Sequence, residues 1–73
     1  MVLSEIKHKQ FTILIETEGN DDYQLYIYQT KDGELEVLIL HQEYEQDLHS
    51  KEEVLSIGVS YIHSILGETY VNQ

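Results

Sequence analysis

The chain has 73 residues, fourteen Asp and Glu against four Lys, no Arg and no Cys, for a formal charge of -10. That balance excludes the ordinary nucleic-acid binder, whose affinity comes from Lys and Arg neutralising phosphates, and it disfavours an anionic membrane surface. The length is that of one domain, 1–73, able to bury only about 60% of its unfolded surface, and without thiols neither a disulfide nor a thiolate zinc site can reinforce it.

The start, MVLSEIKHKQ, lacks the apolar run of a signal peptide, and no stretch approaches the length of a membrane span, so a soluble cytoplasmic protein is expected. Within residues 2–9, Val2, Leu3 and Ile6 fit either one face of a short helix or an extension of the first strand. One or two helical turns are the preferred reading. Residues 11–18, FTILIETE, alternate, with Phe11, Ile13 and Ile15 on one side and Thr12, Leu14 and Glu16 on the other, the period of a half-buried strand. Gly19-Asn20-Asp21-Asp22 then favours a turn.

Residues 23–30 and 34–42 are rich in Tyr, Ile, Val and Leu and flank Lys31-Asp32-Gly33, which predicts a hairpin. Two turns compete. A two-residue loop of type I′ would set Tyr26 and Tyr28 beside Val37 and Ile39. A three-residue loop, with Gly33 as a left-handed bulge residue after a type I turn, would set Leu25 and Ile27 beside Leu35, Val37 and Ile39. The second partitions the apolar residues more cleanly and is preferred. It leaves Tyr26, Tyr28, Glu36, Leu38 and Leu40 on the other face.

Ser50-Lys51-Glu52-Glu53 is a capping box opening a helix, and Gly67 offers a left-handed stop. Val54, Gly58, Tyr61, Ile62 and Ile65 recur at helical spacing, joined by Leu55, Val59 and Leu66. Gly58 costs about 1 kcal/mol relative to Ala in a helix; close approach to the sheet and a neutral accident are both open explanations. Three antiparallel strands followed by a helix imply an α+β fold of two layers, with the helix packed on one face and a short helical or extended N-terminal segment.

His41, Glu43, Glu45, Asp47 and His49 fall at alternate positions, and an extended chain would project all five from one face about 6.7 Å apart at i and i+2. Ligands of one ion must converge to about 2 Å from it, so this row reads as a solvated, charged edge and no metal site is expected. No Ser, Asp and His arrangement is recommended by its spacing, no phosphate-cradling glycine loop occurs, and no cofactor or catalytic residue is assigned; a non-enzymatic protein is expected.

One helix covers one face of a sheet, which leaves the tyrosine and leucine side for the N-terminal segment, a second copy or a partner. The expected function is a small acidic protein-binding module that occupies the basic, nucleic-acid-binding surface of another protein. Glu34, Glu36, Glu43, Glu45 and Asp47 would steer it, and Tyr26, Tyr28, Leu38 and Leu40 would supply buried contact. A homodimeric structural or adaptor protein, and an antitoxin or immunity protein for a basic toxin, stay open as alternatives.

Several stretches carry a resemblance: Glu5-Ile6-Lys7 before the first strand, Phe11-Thr12-Ile13 within it, Gln24-Leu25 opening the second and Asp32-Gly33 at the turn. With the order of elements and the acidity, these resemble the small type II-A anti-CRISPR proteins, phage inhibitors that occupy the DNA-binding surface of a Cas9 nuclease as DNA mimics. The resemblance covers about half the chain and implies inhibition by charge mimicry. In that family an acidic helical region after the sheet carries the mimicry, whereas here the acids cluster before a mostly apolar helix, so Glu43, Glu45 and Asp47 would stand in. A single row at about 6.7 Å holds half the charge density of a DNA strand, with one phosphate per about 3.4 Å.

Overall fold

The computed structural model describes residues 1–19 and 21–67. Four strands, β1 (Val2–His8), β2 (Phe11–Glu16), β3 (Asp22–Lys31) and β4 (Leu35–Glu45), precede one helix, α1 (Lys51–Leu66). The strands form an antiparallel sheet in chain order, so every connection is a hairpin or short loop. The α+β class and the single C-terminal helix agree with expectation, while the strand count corrects from three to four.

The fourth strand is the N-terminal segment, for which helical turns were preferred. It is extended and pairs with β2 from Ser4↔Ile15 to His8↔Phe11. Leu3 and Ile6, three apart, share a helix face and would point to opposite sides of a regular strand, but the register shifts between Val2 and Ser4 and Leu3 packs against the core; β2 offers an unsatisfied edge, which a single helical turn cannot cover. The hairpin closes over Lys9-Gln10 with Lys9 in the left-handed region at φ 58, a conformation that no Gly or Asn announces in the sequence.

At the β3–β4 turn Lys31 pairs with Leu35, so the loop has the expected three residues, but Asp32 (φ 55) and Gly33 (φ 82) are both left-handed, as in a type I′ turn. The predicted parity then holds up to Tyr28↔Leu38. Beyond it Ile27 pairs with Leu40, making Ile39 an extra residue in β4. Leu40 therefore joins Ile27 on the helix side, packed against the core, and leaves the tyrosine face to which the sequence assigned it. Asn20, in the predicted turn between β2 and β3, lies outside the described residues.

The helix lies across the two central strands. Its buried stripe Val54, Gly58 and Ile62 meets Phe11, Ile13 and Ile15 of β2 and Leu25 and Ile27 of β3. A Cβ built on Gly58 would sit 3.2 Å from Cγ2 of Ile13 and 3.4 Å from Cδ1 of Leu25, so the glycine permits close approach of helix to sheet. Ser50 caps α1: its hydroxyl accepts from the Glu53 amide at 3.1 Å, and its own amide donates to the Glu53 carboxylate at 2.9 Å. Gly67, left-handed at φ 74, ends it.

Candidate protein-binding face

In an antiparallel ladder directly paired residues share a face, so the pairing fixes which side chains α1 leaves uncovered. Thr12 pairs with Tyr28 and Tyr28 with Leu38; Leu14 pairs with Tyr26 and Tyr26 with His41. These six form the middle of the open face. The tyrosines are half-buried, Leu38 is 47% exposed, and Thr12, 6% exposed, lies at the floor. Next to them Glu16 pairs with Gln24 and Gln24 with Glu43, and one step further Asp22 pairs with Glu45. With strands about 4.8 Å apart and like-facing residues about 6.7 Å apart, Glu16, Asp22, Glu43 and Glu45 form a compact carboxylate array in two dimensions.

Glu5 and Glu36 share this face through Leu14 and Thr30, and of the four lysines only Lys7, paired with Thr12, has its register. Six carboxylates thus stand against one ammonium on one side of the sheet. Beyond Glu16, an open depression of about 230 Å³ is lined by Glu18, Gly19, Asp21, Asp22 and Gln24. The loop that bears it is tied to the end of β4: Gln46 donates from its backbone to Asp21 at 2.9 Å and from its side chain to the Asp22 carbonyl at 3.3 Å.

The aromatic side chains hold one another in place. The Tyr26 and His41 rings are parallel within 1° at 4.5 Å between centroids, Tyr28 follows at 6.3 Å, and His41 Nε2 lies 2.7 Å from Gln24 Oε1. Desolvation, then the charges of Glu16 and Glu18, the Tyr28 phenol and the charge of Glu43, hold the Tyr26 phenol above its ordinary pKa.

Of the nine residues assigned from sequence, the open face brings together Tyr26, Tyr28, Glu36, Leu38, Glu43 and Glu45. Glu34 sits in the turn before β4, and Asp47 lies past the end of β4. The alternating row also stops at Glu45, because His49 turns away to meet the Tyr44 ring at 5.2 Å and the Glu53 carboxylate at 3.9 Å. Among the described residues no three His, Cys, Asp or Glu side chains are grouped to hold a metal ion.

Sequence reasoning missed His41, Glu16 and Asp22 as members of this face. The parity of β2 already placed Glu16 opposite Ile15, which is a legible signal. Asp22 read as turn, and His41 needs the bulge. Comparison with family models, curated proteins and solved structures finds no match to this chain. Among the described residues no helix is long and apolar enough to cross a membrane.

Proposed function

We propose that this chain is a small non-enzymatic binding protein that docks the open face of its sheet onto a basic protein surface. In its sharpest form it is an inhibitor that occupies a nucleic-acid-binding surface, as the resemblance to DNA-mimic anti-CRISPR proteins implies. The observation that carries the reading is the pairing of an uncovered Tyr26-Tyr28-Leu38 centre with the Glu16, Asp22, Glu43 and Glu45 array beside it. Aromatic side chains supply contact area with few rotors, and the carboxylates steer a cationic partner and reject anionic ones. The added rows answer the weakness of a single strand, since Glu16 and Asp22 thicken the line formed by Glu43 and Glu45.

The N-terminal segment is no lid, because β1 lies within the sheet. A second copy on the same face would bring six carboxylates toward six, which favours a partner of opposite charge over the homodimer or adaptor reading. An antitoxin or immunity protein for a basic toxin uses the same face and differs only in the partner.

The test begins with a partner captured from the native host and identified by mass spectrometry. Its binding should weaken steeply with salt and be competed by duplex DNA. Tyr28→Ala should lower affinity tenfold or more, as truncation of a central aromatic anchor does. Retention unchanged by Tyr28→Ala and by Glu16→Gln/Glu43→Gln/Glu45→Gln together would overturn the reading. A tight dimer by light scattering, disrupted by Tyr26→Glu, would replace it with self-association.

A further inference from the structure

We propose that His8 and His63 form a binding site for a divalent transition-metal ion at the junction of β1 and α1, on the helix side of the sheet and independent of the open face. His8 ends β1 immediately before the Lys9-Gln10 turn, and His63 lies in the last turn of the helix. The register of β1 turns His8 toward the helix, since it pairs with the core residue Phe11. The two rings meet with centroids 5.4 Å apart and planes 40° from parallel.

Nε2 of His8 and Nδ1 of His63 are both withdrawn from solvent, and Nε2 of His8 has no hydrogen-bond partner among the described residues. A buried imidazole nitrogen left in that state loses its water without replacement, and a bound ion or water is the usual remedy. The spacing fits the ion. With metal–nitrogen bonds of about 2.1 Å and each centroid a further ~1.2 Å beyond its ligating atom, two imidazoles at the tetrahedral angle carry their centroids roughly 5.4 Å apart.

Neutral imidazole selects zinc, copper and nickel over magnesium and calcium. Among the described residues these two imidazoles are the only protein ligands assigned to the ion. Bound there, it would clip the β1–β2 hairpin to the end of the helix, two regions remote in sequence. Metal affinity then appears as folding stability.

The experiment uses the full chain, stripped with chelator and titrated with zinc or nickel chloride. At about a hundred-fold excess over the dissociation constant the thermal midpoint should rise by about 10 °C and fall back on adding chelator. His8→Asn and His63→Asn should each abolish the rise, while His41→Asn and His49→Asn, which alter the other two histidines, should keep it. A rise that survives His8→Asn, or no rise with either metal, overturns the proposal. If a variant fails to fold, ring nitrogen chemical shifts of the unaltered protein decide: Nε2 of His8 and Nδ1 of His63 must move on titration. Movement confined to His41 or His49 overturns the site.

Discussion

β3 belongs to both faces of the sheet, and its neighbouring residues live in different environments. Leu25 and Ile27 are fully buried under α1, while Tyr26 and Tyr28, each one position away, are half-buried on the open side. Both sets are large and apolar enough to pack. The difference lies in what stands opposite: a helix stripe of Val54, Gly58 and Ile62 on one side, solvent and carboxylates on the other. Hydrophobic content alone therefore does not separate the covered face from the open one in so small a domain, and the register does.

Truncation should expose that difference most sharply. Ile27→Ala removes atoms from the centre of the core and should cost roughly 2–5 kcal/mol, a large share of the few kcal/mol available to a domain of this size. Leu38→Ala on the open face, where the side chain is 47% exposed, should cost well under half as much. Urea unfolding of the two variants checks the pair. Equal losses would mean that the open face is covered in solution even without a partner.

The core side of this comparison was legible in the sequence because each element carries its own signal. FTILIETE alternates, Ser50 to Glu53 forms a capping box, and the helix repeats its apolar positions. The open face was legible only as far as parity could be counted from the turn, and Ile39 defeats the count. A bulge is one unpaired residue with no composition of its own, yet it moves Leu40 to the core side and His41 beside Tyr26. β1 was hidden for a similar reason. Its hairpin uses Lys9 in the left-handed region, which a sequence rule built on Gly and Asn does not flag. The metal-site pair was beyond reach, since His8 and His63 meet only once the helix has crossed the sheet.

A second test concerns how tightly the covered face is closed. Gly58→Ala would gain about 1 kcal/mol of helix propensity in isolation. Here the new Cβ meets methyl groups of Ile13 and Leu25, both fully buried, which must shift by a few tenths of an ångström within the packed core, and overpacking is expected to outweigh the gain. A net loss of about 1–2 kcal/mol is expected in chemical denaturation. A net gain would show that α1 rides higher on the sheet, and that the close approach is not required. The corresponding open-face change, Thr12→Val, should alter stability by less than about 1 kcal/mol.

The smallest effect is the most specific to the open face. Tyr26 ionises above its ordinary value because its surroundings oppose the phenolate: desolvation first, then the nearby carboxylates and Tyr28. The folded chain thus binds this proton more firmly than the unfolded chain. The associated stability is fully present below the unfolded value of about 10 and is lost as pH rises through the higher folded value. Absorbance titration of the phenolates, compared with Tyr26→Phe, isolates this group among the six tyrosines. Glu16→Gln with Glu43→Gln should lower its midpoint only part of the way toward 10, since desolvation, the first of the causes, and the charges of Glu18 and Tyr28 remain. Salt should act on the same part and leave the rest. A midpoint at 10 in the unaltered protein would mean that the ring and the carboxylates are not held together. A cationic partner on this face should move the midpoint down relative to the free chain, because its positive charges favour the phenolate, whereas a second acidic copy should move it up.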